Sequence, residues 1–437
     1  MRGESKLDKR QLGTVFVSLW LGLGLLTACG DNPSPTPAAT TPATATAPLA
    51  TSTPAATPTP APPKPDMKKV QAQLDAAWKN YTVRFIQPDG RVVDPAGGEI
   101  TTSEGQSYAL LRAVWQNDRP VFDKALQWTQ QNLQVRPNDK LFSYKWGRNG
   151  DGKWQILDPA VASDADSDIA LALIFAARRW HEPNYDRLAL EILGHLWDKT
   201  VITVKGKPYL TAGDWAPAQA QPSLNPSYLS PYAYRIFAKA DPAHNWTGLV
   251  ETSYEVFRGC AEANLSGLAP AKLPPNWCGL DQATGQFTLP VEYPRMNLDY
   301  GYDAFRVYWR AALDYKWFGE KKALDYLTWS DTLRDKWRQD GKLAKVYDHS
   351  GKPLNDQEAL SNYAGALSNF LFTEPLLADS LVLQKYMPAY QVLPNEPGGV
   401  TPGAGFAGWG EPQDYYNQNW VWFGLALFSG RLSNLAT

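Results

Sequence analysis

An all-α fold of six helical hairpins closed into a ring is the fold class this sequence predicts, and three observations predict it. Apolar residues recur at helical spacing nearly throughout residues 67–437. Breaks rich in Gly, Pro and Asn cut that stretch into about twelve amphipathic segments. The unusual residues fall in every second segment, whereas those between, such as Tyr185 to Thr200 and Gly319 to Gln339, read as ordinary amphipathic helices with charged outer faces. If inner and outer helices alternate and run antiparallel, the starts of all six inner helices meet at one end.

Before this region the chain is of another kind. Arg2, Lys6, Lys9 and Arg10 precede an apolar run from Leu12 to Leu26, too short and too Gly-rich for a good membrane-spanning helix, so residues 1–28 read as an export signal. It ends in Leu26-Thr27-Ala28-Cys29, which resembles the bacterial lipobox. Lipidation of Cys29 is therefore expected, anchoring the protein to the outer face of a bacterial membrane, at the cell surface or in the periplasm. Asn32 to Pro63 is Pro, Thr, Ala and Ser without charge, too poor in large apolar residues to repay its ordering entropy, so residues 29–66 are expected to be a disordered tether. With Cys29 set aside, Cys260 and Cys278 form an even pair in an exported chain, which favours a disulfide over two free thiols.

The helical segments begin near Met67, Glu104, Pro120, Asp166, Tyr185, Ser227, Asn245, Tyr300, Gly319, Gln357, Leu376 and Tyr415. Strand signals are confined to the surroundings of Val92 and to Ile202 to Tyr209. No second low-complexity stretch divides residues 67–437, so one large domain is expected.

Composition excludes several classes of function. A net charge of −2 lacks the basic excess of a nucleic-acid binder. His181, His195, His244 and His349 are far apart and without HExxH spacing, so no metal and no cofactor are expected. Gly403 to Gly408 spells GxGxxG but follows Pro402 rather than a strand, which fits a groove-side loop better than a dinucleotide site. There is no GxSxG elbow. What remains is aromatic: 18 Trp and 21 Tyr beside carboxylates at helix starts, the materials of a sugar-cleaving groove.

Three motifs carry the acids. In Ser103-Glu104-Gly105-Gln106 a capping box accounts for Ser103 and Gln106 but not for Glu104. A general acid there must keep its proton against the helix-end effect, which requires desolvation or a neighbouring carboxylate. Ser163 to Asp166 reads as a second capping box, yet Asp164, Asp166 and Asp168 crowd three acids into five residues, so at least one is placed for function or has a raised pKa. In Tyr302-Asp303-Ala304-Phe305-Arg306, Asp303 and Arg306 share a helix face, and their aromatic flanks favour an enclosed, ionised Asp over a surface pair.

These residues, with ASDADSDIALALIFAARRW from Ala162 to Trp180, resemble glycoside hydrolase family 8, whose pattern A-S/T-D-A/G-D-x-x-I-A followed by A-x-x-x-W is met here. The similarity continues through NPSYLSPYAYRIFA and YYNQNWVWFGLAL. It implies an (α/α)6 barrel that cleaves β-1,4-linked glycans with inversion, Glu104 as general acid, Asp303 as general base, and Arg306 orienting Asp303. It also implies that Asp164 or Asp166 grips the sugar at the cleavage site and that Tyr228 lines the groove, with Tyr302 and Tyr416 beside it in the same motifs. Asn417 departs from the family, where an acid often stands. Trp146, Trp154 and Trp215 lie in loops suited to stacking on sugar rings, although core filling is the default for any one tryptophan, Trp409 included.

The expected function is thus a monomeric, membrane-tethered endo-β-1,4-glucanase acting on cellulose or mixed-linkage glucan. Xylan and chitosan are rival substrates on the same fold, and a catalytically silent glycan-binding lipoprotein is the rival class.

Overall fold

The computed structural model describes residues 63–437 apart from 397, 402 and 404; the export signal, Cys29 and residues 29–62 of the tether lie outside the described residues. The first helix, α1 (Met67–Arg84), begins beside Asp66, whose carboxylate accepts from the backbone of Lys68 and Lys69 at 2.9 and 3.3 Å and so caps it. Then follow α2 (Ser103–Gln116), α3 (Arg119–Asn132), α4 (Ser163–Trp180), α5 (Pro183–Thr200), α6 (Pro231–Ala240) and α7 (Trp246–Glu262). The second half adds α8 (Arg306–Phe318), α9 (Lys321–Trp329), α10 (Thr332–Asp340), α11 (Tyr363–Thr373) and α12 (Pro375–Leu381). A π turn over Val382–Tyr386 leads to the short α13 (Met387–Ala389), and α14 (Tyr415–Phe428) comes last.

The fold is an (α/α)6 barrel. Helices α2, α4, α6, α8, α11 and α14 form the inner ring, each packed on the next. Helix α4 shows why: every residue from Ser163 to Ala177 is buried. Its partner α5 buries only Tyr185, Ala189, Ile192, Leu193, Leu196 and Thr200, one stripe at helical spacing. A helix buried all round lies inside, and one buried along a single stripe lies over it. Five hairpins pair consecutive helices, and the sixth pairs α14 with α1, closing the ring through the two ends of the domain. Trp422 on α14 donates its indole N–H to the carbonyl of Leu74 on α1 at 3.1 Å.

Much of the aromatic content fills this ring. Trp246, Trp309, Trp409, Trp420 and Trp422 are fully buried, and Trp309 meets Trp420 edge to face at 5.5 Å. The default role of core filling therefore holds for Trp409.

Several local expectations are corrected. The segment Gly319 to Gln339 is two helices, because the extended backbone at Ser330 interrupts it between α9 and α10. Neither capping box forms. Thr102, one residue earlier than Ser103, caps α2 by accepting from Gly105 at 3.0 Å, while Gln106 turns inward to the backbone of Val92 and the hydroxyl of Thr129. Ser163 donates its hydroxyl to the carbonyl of Thr211 at 2.7 Å, so α4 has no side-chain cap.

The loops carry short antiparallel strands that helical periodicity does not show. They are β1 (Thr101–Thr102), β2 (Lys145–Arg148), β3 (Trp154–Asp158), β4 (Val201–Val204), β5 (Lys207–Leu210), β6 (Ser223–Leu224), β7 (Cys278–Leu280), β8 (Phe287–Thr288), β9 (Tyr390–Leu393) and β10 (Phe406–Trp409). The hairpin β4–β5 falls where Ile202 to Tyr209 predicted it, and Val92 makes a single bridge to Ile86. Cys260, near the end of α7, and Cys278, opening β7, are disulfide-bonded with their Cα atoms 6.0 Å apart.

Candidate active site

The starts of the inner helices gather at one end of the barrel, and the residues there line a cleft. A cavity of about 700 Å³ is bordered by Glu104 of α2, Asp164 of α4, Tyr228 ahead of α6, Asp303 ahead of α8, Leu360 ahead of α11 and Tyr416 of α14. Three inner helices contribute residues of their own, and the segments that lead into the other three contribute the rest. A second cavity of about 550 Å³ is bordered by Trp215, Gln219, Glu292 and Met296, and shares Tyr144, Ala162, Tyr228 and Trp277 with the first, so the two make one groove.

At the bottom stands Arg306, fully buried in the first turn of α8. Its Nη1 donates to Glu104 Oε2 at 2.7 Å and to the Tyr108 hydroxyl at 2.9 Å, and lies 3.4 Å from Asp164 Oδ2. Its Nη2 donates to Asp303 Oδ1 at 2.5 Å, and its Nε to the Ser227 hydroxyl at 3.1 Å. One planar guanidinium thus faces three carboxylates, and Glu104 and Asp303 meet across a single cleft. Sequence spacing predicted the pair Arg306–Asp303. That the same cation also reaches Glu104 and Asp164 comes from the ring closure, which brings α2 and α4 to α8.

Burial sets the protonation of these acids. It pushes Glu104 above the ordinary carboxylate range, overcoming the opposing attraction of Arg306, and the nearby charge of Asp303 adds to the rise. Burial likewise pushes Asp164 up to about 7, against Arg306 and with help from Glu104. It also raises the hydroxyls of Tyr108, Tyr228 and Tyr416, which remain protonated donors at neutral pH.

The structure separates the acids of α4. Asp164 lines the cleft and faces Arg306. Asp166 does not border the cleft: two residues of helix rotation, about 200°, aim it away, where its Oδ1 accepts the backbone N–H of Phe142 at 3.0 Å. The expectation that Asp166 serves at the cleavage site is therefore corrected to a structural tie between α4 and the preceding loop. Asp168, one turn below Asp164, holds Arg310 through both oxygens at 2.6 and 2.8 Å. Arg310 is one turn below Arg306, so the Asp–Arg pairing of the cleft is repeated in the core.

Of the aromatic candidates, Tyr228, Trp215, Tyr302 and Tyr416 line the groove. The Tyr416 hydroxyl donates to the carbonyl of Tyr302 at 2.6 Å, tying α14 to the turn that carries Asp303. Trp146 and Trp154 are placed elsewhere. They stack on each other at 4.7 Å across β2 and β3, with Arg91 over both rings, and neither borders the groove. Both are therefore corrected to residues of the β2–β3 hairpin outside the groove, Trp146 packed edge to face on Trp128 at 5.2 Å and Trp154 still 38% exposed. Asn417 accepts from the backbone of Ser361 at 2.8 Å and donates to Asp414, fastening α14 to the approach of α11. Sequence reasoning missed Tyr144 and Trp277, which border both halves of the groove. Each sits in an irregular stretch, and proximity of Trp277 to Cys278 was the one available signal. Among the described residues no group of three or more His, Cys, Asp or Glu could hold a metal ion, and no helix is long and apolar enough to cross a membrane.

Comparison with known proteins supports the pattern. The family described as Glycosyl hydrolases family 8 matches residues 65–331. The chain is similar to an endoglucanase of Xanthomonas axonopodis pv. citri, 36% identical over 249 residues, which are 54% of this chain and 60% of that protein. An endoglucanase of Escherichia coli K12 is 35% identical over 236 residues, 53% of this chain and 60% of the relative. The match thus spans under two thirds of the length of these relatives. Among solved structures, endoglucanase Cel10 of Klebsiella pneumoniae, titled a family 8 glycosyl hydrolase, superposes with a TM-score of 0.63 at 25% identity, covering 81% of this chain and 99% of that one.

Proposed function

Because the chain belongs to glycosyl hydrolases family 8, we propose that it is an inverting endo-β-1,4-glucanase with Glu104 as general acid and Asp303 as general base. The observation that carries this reading is the pair of carboxylates held by one buried guanidinium at the floor of an open groove. Glu104, with its raised pKa, keeps a proton for the glycosidic oxygen. Asp303 takes a proton from the water that attacks the opposite face of the sugar. Arg306 holds both carboxylates in place, and Asp164 accepts hydrogen bonds from the sugar between them.

The substrate follows from the walls. Tyr228, Trp215 and Trp277 give flat apolar surfaces on which glucose rings stack, which fits a neutral glucan chain running along the groove. The names of the Xanthomonas and Escherichia relatives and of the Klebsiella structure, all endoglucanases, support β-1,4-glucan over xylan or chitosan. Release of reducing ends from carboxymethylcellulose, barley β-glucan, xylan and chitosan tests this. Preference for the two glucans is the expected outcome; preference for xylan or chitosan overturns the substrate, and absence of hydrolysis on all four favours a silent glycan-binding protein.

The protein is further proposed to act as a monomer on the outer face of a bacterial membrane, anchored through Cys29. A single acyl chain binds membranes only marginally, so retention depends on the several chains a lipobox cysteine receives. Cys29→Ala is expected to abolish acylation and membrane retention while leaving glucanase activity unchanged. Mass spectrometry of the membrane fraction decides the matter, and an unmodified N-terminus beyond residue 29 excludes the anchor.

A further inference from the structure

Asp303 stands in a turn ahead of α8, and the helix has no side-chain cap from its own residues. The N–H groups that open such a turn need acceptors. They find one 27 and 28 residues away in sequence: the side-chain oxygen of Asn276 accepts from the backbone of Asp303 at 3.2 Å and of Ala304 at 3.0 Å. Asn276 is itself held. Its amide donates to Asn297 at 2.9 Å, its backbone N–H donates to the carbonyl of Asp299 at 2.8 Å, and that of Trp277 donates to Asn297 at 3.1 Å. The approach is close: a Cβ on Gly301 would lie 3.3 Å from the Asn276 amide.

The next two residues fix this segment from outside. Trp277 borders both halves of the groove, and Cys278 is disulfide-bonded to Cys260 on α7 and paired with Leu224 of β6. We infer that Asn276 is a positioning residue for Asp303, holding the backbone of the base while Arg306 holds its carboxylate, with the disulfide anchoring Asn276 to the barrel. The inference rests on Asp303 being the base. Its purpose is geometric, since a displacement of about 1 Å in a reacting group costs on the order of a hundredfold in rate.

The test compares Asn276→Ala, Asn276→Asp and Asp303→Asn in the full chain on soluble β-glucan. Asn276→Ala removes the acceptor, and kcat is expected to fall about ten- to a hundredfold with KM within about twofold. Asn276→Asp keeps the acceptor oxygen but gives up the amide donated to Asn297, so its turnover is expected above that of the alanine variant and below that of the native protein. Its added negative charge also moves the acidic limb of the kcat/KM profile to higher pH, because a base beside a like charge holds its proton longer. The groups already facing Asp303 are Arg306 from α8, Glu104 from α2, Asp164 from α4, Tyr416 from α14, and Tyr144 and Tyr228 from the loops.

Unchanged kcat in Asn276→Ala overturns the inference, as does a raised KM with unchanged kcat, which would assign Asn276 to Trp277 instead. Should the alanine variant fail to fold, the aspartate variant decides: an unmoved acidic limb overturns the inference. Full turnover in Asp303→Asn withdraws the base assignment itself, whereas an inactive Asp303→Asn beside a fully active Asn276→Ala defeats the positioning role alone.

Discussion

Glu104→Gln and Asp303→Asn are each expected to lower kcat by about 10² to 10⁴-fold while leaving the affinity for cello-oligosaccharides largely intact. Both substitutions keep the size and the acceptor oxygen that Arg306 holds at 2.7 and 2.5 Å and delete proton transfer, Asp303→Asn removing in addition the charge paired with Arg306. The two differ in pH behaviour. A general acid is active while protonated, and burial holds Glu104 above the usual carboxylate range, so Glu104 sets the basic limb of the kcat/KM profile. That limb disappears in Glu104→Gln. Steady-state kinetics across pH, paired with calorimetric titration of the oligosaccharide, checks both parts. Full turnover in either variant removes the residue from the mechanism.

The second large effect is structural. Arg306→Met leaves Glu104, Asp164 and Asp303 facing one another without a cation, and breaking a buried pair of this kind costs about 3–5 kcal/mol. Activity is lost with it. The sign of the pH dependence follows from the raised carboxyls. An acid whose folded-state pKa lies above its unfolded value near 4 binds its proton more tightly when folded. Stability is therefore full below the unfolded pKa and is lost as pH rises through the folded value, about 7 for Asp164 in the native protein. Removing Arg306 raises the folded values further, so the variant and the native protein lose stability in parallel up to the native folded value and diverge as pH rises above it, about 7 for Asp164. Urea denaturation at several pH values measures this, and equal destabilisation at all of them contradicts it. Arg306→Lys is expected to rescue little, because one ammonium cannot span Glu104 and Asp303 as the planar guanidinium does.

How far the site was legible in sequence depends on what each residue answers to. Glu104, Asp164 and Asp303 were readable because each opens a helical segment in an aromatic setting where a plain cap does not account for it. The recurrence of unusual motifs in every second amphipathic segment likewise gave the six hairpins, since only the inner helices bring their starts to the cleft. Asp166 was not separable from Asp164, because two residues of helix rotation decide which carboxyl faces the cleft and which meets Phe142. Closure of the ring by α1 on α14 joins residues more than three hundred positions apart, and no local pattern encodes that. The first capping box misled because Thr102, one residue earlier, caps α2 in place of Ser103, and the second because Ser163 gives its hydroxyl to the carbonyl of Thr211. Trp146 and Trp154 misled for a related reason: a tryptophan in a polar loop finds a partner within the protein as readily as a sugar.

The most direct test of the account is the configuration of the product at the moment it forms. Asp303 as a base acting through water requires attack from the face opposite the leaving group, so a β-1,4 linkage yields an α-anomer first. Proton NMR of barley β-glucan hydrolysis, recorded before mutarotation equilibrates the ends, is expected to show the α-anomeric signal rising ahead of the β. If the β-anomer appears first, the reaction retains configuration, one carboxylate is a nucleophile, and the assignment of Glu104 and Asp303 as an inverting pair is contradicted.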